Sequence, residues 1–63
     1  MTALEIAREV LGPKYSAEEL DYIIWNETGY PEFFTIGEGE TLESVFRKQL
    51  KEFRERKEGQ NNE

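Results

Sequence analysis

Residues 16–34 read SAEELDYIIWNETGYPEFF, and they contain a helix start, a helix end and five aromatic side chains. Ser16 and Glu19 form an S-x-x-E capping box, in which each side chain can bind the other residue's free backbone N–H. Gly29 suits the left-handed position just past a helix, and Pro31 prevents a further turn. The stretch therefore predicts a helix that starts after Ser16, stops before Gly29 and leads into an aromatic-rich connector.

The end of this helix predicts a specific aromatic contact. Counting back from Gly29 makes Trp25 and Tyr30 the two positions that a Schellman motif commonly brings together, so we expect Tyr30 to fold back on Trp25. Residues 22–25 read YIIW. Since successive helical residues step by about 100°, these four side chains cannot all face one core. We expect the connector 32–36, a second subunit or a partner to cover some of them.

Two further helices flank this segment. Thr2 and Glu5 form a second capping box, T-x-x-E, and Gly12 followed by proline ends the run, which predicts a helix over residues 3–11. Thr41 is a candidate cap for a long last helix. Its apolar and partly polar seam repeats at intervals of three and four residues, namely Leu42, Val45, Phe46, Gln49, Leu50 and Phe53. The spacing also pairs Glu43 with Arg47 and Glu52 with Arg56 at i,i+4.

The segment EFFTIGEGE, residues 32–40, has no clean period and carries two glycines. We leave open a short extended stretch, a single helical turn or a brief two-stranded pairing. The chain as a whole is predicted to be all-α, a small three-helix domain with an aromatic-rich connector before the long C-terminal helix. Residues 1–57 form the single domain, and residues 58–63 are expected to be a disordered tail because they have nothing apolar to bury.

Composition narrows the class of protein. At 63 residues the chain is one small domain, and a domain of this size buries only about 60% of its unfolded surface. Cysteine and histidine are absent, so a disulfide, a thiolate zinc site and an imidazole ligand are excluded. An apolar run of about 18 residues, as a membrane span needs, is missing, and MTALEIAREV lacks the basic start of a signal peptide. We expect a soluble cytoplasmic protein without a cofactor.

Catalysis is not predicted. Without histidine or cysteine, the chain lacks the usual groups that titrate near neutral pH or attack as nucleophiles. Glu27 and Glu32 are the best candidates for a catalytic carboxylate pair, and we interpret them as surface carboxylates. The GEGE segment lacks the lysine and hydroxyl residue of a phosphate loop.

Two interaction surfaces remain as hypotheses. The first is an aromatic patch for a protein partner or a homodimer, formed by Tyr22, Trp25, Tyr30 and Phe33; aromatic residues of this kind dominate interface energies. The second is a basic strip on the last helix that could contact nucleic-acid phosphates, formed by Arg47, Lys48, Lys51 and Arg54. Residues 1–46 carry a net charge near −8, which would repel nucleic acid, while residues 47–63 carry about +2. An acidic body that imitates DNA is a third possibility.

The stretches DYIIWNETGYPEFF, residues 21–34, and FRKQLKEF, residues 46–53, resemble a pattern in short accessory proteins of tailed bacteriophages. In those proteins an aliphatic–tryptophan helix end is followed by a threonine, a small residue, an aromatic residue and proline, and then by a helix with a Gln-Leu pair. The resemblance covers about a third of the chain. It implies a phage-encoded accessory protein and no particular activity.

Overall fold

The structure is a computed structural model, and it describes residues 1–61. Three helices follow one another: α1 spans Ala3–Leu11, α2 spans Ala17–Glu27 and α3 spans Thr41–Asn61. Each helix packs against the other two. The predicted all-α, three-helix fold is confirmed, and α1 has the predicted bounds.

Local signals set the helix starts. The Thr2 N–H donates to Oε1 of Glu5 at 2.8 Å and the Glu5 N–H donates back to Oγ1 of Thr2 at 3.2 Å. Ser16 and Glu19 make the same reciprocal pair at 2.9 and 3.2 Å. Both predicted capping boxes therefore satisfy N–H groups that an isolated helix would leave free.

The end of α2 differs from the predicted motif. Gly29 takes the expected left-handed conformation, with φ +79°, and its N–H reaches the Trp25 carbonyl at 3.2 Å. A Schellman motif would send the Tyr30 N–H to that carbonyl, but this N–H donates to Oγ1 of Thr28 instead. The Thr28 hydroxyl in turn donates to the Ile24 carbonyl at 2.7 Å. Thr28 therefore diverts the chain into the simpler left-handed cap.

The predicted contact of Tyr30 with Trp25 is consequently wrong. The Tyr30 ring stacks on Phe34 with centroids 4.9 Å apart, and it lies tilted against Phe46 at 6.4 Å. Tyr30 is half-buried against the core, whereas Trp25 is 54% exposed. The aromatic partners of Tyr30 among the described residues are therefore Phe34 and Phe46, not Trp25.

The connector forms the brief pairing that the sequence left open. Thr2 and Thr35 make an isolated antiparallel bridge, and the Ile36 N–H donates to the Met1 carbonyl at 2.8 Å. The N–H groups of Ala3 and Leu4 donate to carbonyls of the connector at 2.7 and 2.9 Å. The connector therefore supplies acceptors to the free N-terminal donors of α1, and Ile36 is fully buried.

The core lies between all three helices and the connector. Its fully buried or nearly buried apolar side chains are Ala3, Ile6, Ala7, Val10, Leu11, Leu20, Ile23, Ile24, Ile36, Phe46 and Leu50. Phe46 is the largest of the fully buried side chains. Its neighbour Val45, which the sequence also placed in the seam, is 46% exposed. The predicted seam on α3 is therefore narrower than expected.

The far end of α3 extends past the predicted domain boundary at residue 57. Residues 58–61 continue the helix instead of forming the expected disordered tail. The backbone hydrogen bonds of a helix are made within the segment itself, so the helix can extend past its last apolar residue. The predicted tail at residues 62 and 63 lies outside the described residues.

Candidate interaction surface

Helix α2 turns two aromatic side chains outward. Leu20, Ile23 and Ile24 are buried, while Tyr22 is 69% exposed and Trp25 is 54% exposed. The 100° step between residues produces this division, as the sequence predicts. The connector does not cover the outward pair, because its own buried side chain, Ile36, packs in the core beside α1.

The other two members of the predicted patch have different environments. Phe33 is 75% exposed, and it lies in the turn where the Phe34 N–H donates to the Pro31 carbonyl at 3.0 Å. Tyr30 packs inward on Phe34 and Phe46, so it does not belong to an exposed surface. The structure therefore places only Tyr22 and Trp25 together on one helix face, with Phe33 exposed on a different element.

Two carboxylates lie on the same face of α2 as the aromatic pair. Positions 18, 21, 22 and 25 are spaced i, i+3, i+4 and i+7, so Glu18, Asp21, Tyr22 and Trp25 share one side of the helix. We call these four residues the acidic–aromatic stripe. Helix α2 contains no lysine or arginine. The carboxylates therefore have no cation on their own helix.

A groove runs beside the stripe, between α2 and α3. It has a volume of about 410 Å³, and its apolar walls come from Tyr15, Tyr22, Ile23 and Phe53. Its charges are mixed: Glu19 and Lys57 line it, and the Lys14 ammonium lies 5.3 Å above the Tyr15 ring. Glu18 and Tyr22 belong to both the groove and the stripe. Sequence reasoning missed Tyr15 and Phe53 here because they lie on different elements.

The predicted basic strip is largely engaged within the fold. The Arg47 guanidinium bonds Oε2 of Glu43 at 2.9 Å and approaches Glu9 at 3.5 Å, which raises the pKa of Arg47. Arg54 donates to the Val10 carbonyl at 2.9 Å. Only Lys48 and Lys51, of the four predicted phosphate contacts, are fully on the surface. The strip therefore offers fewer free cations than its sequence suggests.

The two predicted i,i+4 ion pairs on α3 have different outcomes. Glu43 and Arg47 pair as expected, and the Gly39 N–H adds a hydrogen bond to Oε1 of Glu43 at 3.0 Å. The bond with Arg47 is the main reason that the pKa of Glu43 lies below its ordinary value. Arg56, however, pairs with Glu27 of α2 rather than with Glu52.

Glu27 and Glu32, the candidates for a catalytic carboxylate pair, have different contacts in the structure. The Glu27 carboxylate is bound by Arg56, and the backbone carbonyl of Glu32 serves as an acceptor for α1. Within residues 1–61, acidic side chains do not gather into a group that could hold a metal ion. None of the helices in that part of the chain combines the length and the apolarity needed to cross a membrane.

Comparison with family models, curated proteins and solved structures finds no match for the chain. The class of protein is therefore defined here by fold alone: a small all-α domain of three helices.

Proposed function

We propose that this protein is a small, non-catalytic accessory protein of the cytoplasm that acts by binding another protein through α2. The single observation that carries the proposal is the outward position of Tyr22 and Trp25 on one helix face. Large exposed aromatic side chains are costly for a small domain to leave in water, and they are the residue types that most often provide binding energy. The resemblance to bacteriophage accessory proteins makes a phage-encoded adaptor or regulator part of the proposal.

Like charge weighs against a homodimer built by pairing two α2 faces. Such a dimer would bring Glu18 and Asp21 of one copy close to the same carboxylates of the other, without a basic residue on either helix. A different protein is therefore the better-supported partner. DNA mimicry by the acidic body has less support, because it gives no role to the exposed aromatic pair.

The test compares partner capture by three forms of the protein. The wild type, the double variant Tyr22→Ala/Trp25→Ala and the control Val45→Ala are immobilised at equal density, and bound proteins are quantified by mass spectrometry. Val45 is a suitable control because it is an exposed apolar residue on α3. We expect a partner that binds the wild type and the control equally and is lost with the double variant.

Light scattering on the same three proteins measures assembly. If the wild type has the mass of a dimer and the double variant has the mass of a monomer, the partner is a second copy of this chain. Equal capture by all three proteins, with no change in mass, would contradict the proposal and leave Tyr22 and Trp25 as solvent-exposed residues without a binding role.

A further inference from the structure

The acidic–aromatic stripe contains two kinds of group, carboxylates and aromatic rings, and both attract cations. Tyr22 and Trp25 present aromatic faces to solvent, and aromatic faces attract cations, tryptophan most strongly. Glu18 and Asp21 precede Tyr22 and Trp25 by four residues each, so one carboxylate lies one helical turn from each ring. The same cation can therefore contact a ring and a carboxylate.

Neither carboxylate of the stripe takes part in an ion pair among residues 1–61, where the ion pairs join Arg47 to Glu9 and Glu43, and Arg56 to Glu27. The fold uses three of its four arginines elsewhere, and it leaves Glu18 exposed and Asp21 half-buried without an ion pair. Their charge is complementary to a cationic partner.

We infer that the stripe binds arginine side chains of an arginine-rich segment in the partner protein; this inference rests on the proposed function. A guanidinium group is planar, so it can stack on an indole or phenol ring while its N–H groups bond a neighbouring carboxylate. An ammonium group is strongly hydrated and cannot stack in this way. The geometry of alternating rings and carboxylates therefore favours arginine over lysine.

A second copy of this chain is a poor source of that arginine. Three of its four arginines are bonded within their own fold, Arg47 to two glutamates, Arg54 to the Val10 carbonyl and Arg56 to Glu27. Releasing one of them would break a contact between helices. The fourth, Arg8, is exposed and takes part in no ion pair among residues 1–61, but it is a single arginine rather than an arginine-rich segment. Another protein is therefore the better source of the arginines.

The test measures, by fluorescence anisotropy, the affinity of the protein for a labelled oligoarginine peptide. The affinity for a labelled oligolysine peptide of equal length is measured for comparison. Trp25 is the only tryptophan, so its emission provides a second readout at the stripe itself. We expect the arginine peptide to bind about threefold tighter than the lysine peptide, and both to weaken as salt screens the charges.

A pair of variants of equal charge locates the site. Glu18→Gln/Asp21→Asn removes both carboxylates of the stripe, and Glu38→Gln/Glu40→Gln removes two exposed carboxylates before α3. We expect the first variant to weaken the arginine peptide about threefold or more at low salt and the second to change it little. Circular dichroism checks that each variant keeps its helix content.

Several results would overturn the inference. These are equal binding of the arginine and lysine peptides, equal weakening by the two variants, or no change in Trp25 emission on binding, since each indicates attraction by net charge alone. The proposed function is judged separately. If Glu18→Gln/Asp21→Asn still captures the partner that Tyr22→Ala/Trp25→Ala loses, the protein contact stands and the arginine chemistry is wrong.

Discussion

The guanidinium of Arg54 donates a hydrogen bond of 2.9 Å to the backbone carbonyl of Val10, and so joins the last helix to the end of the first. The carbonyl is one of those that α1 cannot satisfy within itself. The sequence predicted that Arg54 belongs to a basic strip for nucleic acid. A sequence pattern cannot reveal that a cation on a polar helix bonds a carbonyl 44 residues away. In the structure it is a contact between helices.

Replacing Arg54 by methionine is expected to destabilise the fold by about 1–3 kcal/mol, because a partly buried carbonyl loses a charged donor while the apolar stem is kept. Urea unfolding followed by circular dichroism measures the change. Lys51→Met is the matched control, since Lys51 is an exposed cation on the same helix; it should stay within about 0.5 kcal/mol of the wild type. Equal changes in the free energy of unfolding for the two substitutions would show that the hydrogen bond of Arg54 does not stabilise the fold.

Trp25 and Phe46 should differ sharply in their contribution to stability. Trp25→Ala and Tyr22→Ala are each expected to change the free energy of unfolding by less than about 0.5 kcal/mol, because both side chains are exposed. Phe46→Ala should cost about 3–5 kcal/mol, since it leaves a cavity at the centre of the core.

The emission of Trp25 checks the same point without a substitution. An exposed indole should emit at long wavelength in the folded protein and shift little on unfolding. A blue emission in the folded monomer, or a loss of several kcal/mol in Trp25→Ala, would place Trp25 in the core and remove it from the interaction surface.

Acid should destabilise the protein through three carboxyl groups whose pKa lies below the ordinary value of glutamate. The pKa of Glu5 and that of Glu19 are lowered mainly by the backbone N–H groups of Thr2 and Ser16, and that of Glu43 mainly by Arg47. These groups bind protons more weakly when folded, so their contribution is complete above the unfolded pKa of about 4.3 and is lost as pH falls through the lower folded pKa.

We therefore expect a constant urea midpoint above about pH 5.5 and a falling midpoint below about pH 4.5. Glu43→Gln should make that acid slope shallower, while Glu38→Gln, which removes an exposed carboxylate outside these hydrogen bonds, serves as the control. A midpoint that rises on acidification would contradict this assignment of the three pKa shifts.

Nucleic acid is expected to bind weakly. Lys48 and Lys51 are free, but Arg47 and Arg54 are engaged, and the acidic body opposes phosphate. Anisotropy of a labelled DNA duplex and of a labelled single strand should stay unchanged at physiological salt. Strong, salt-sensitive binding that Lys48→Gln/Lys51→Gln abolishes would instead favour the basic strip as the functional surface.

The parts of the fold that the sequence predicted are those set by neighbouring residues. The capping boxes of Thr2 and Ser16, and the glycine after α2, act within four residues, so helix starts and stops follow from local chemistry. The inward and outward faces of α2 follow from its period in the same way. Thr28 shows the limit of such reasoning, since its hydroxyl competes for an N–H that the glycine motif would otherwise use.

The parts that could not be predicted depend on residues far apart in the chain. Arg56 could pair with Glu52 one turn away or with Glu27 on another helix, and only packing decides between them. The groove between Tyr15, Ile23 and Phe53 exists only after α2 and α3 dock. For the candidate surface, the sequence predicted that some side chains of residues 22–25 would face outward, and Tyr22 and Trp25 do. It could not show that Tyr30 packs inward, because that direction depends on the stack with Phe34.

The carbonyls that the connector offers to Ala3 and Leu4 have a consequence for the dynamics of the protein. The first amides of a helix normally exchange their hydrogens with solvent freely, because nothing in the helix accepts them. Here those two amides are held by Phe34 and Glu32, so their exchange requires the connector to lift away from α1. The amides at the beginning of α1 should therefore exchange slowly. Deuterium uptake at Ala3 should report the motion of a segment more than thirty residues away in the chain.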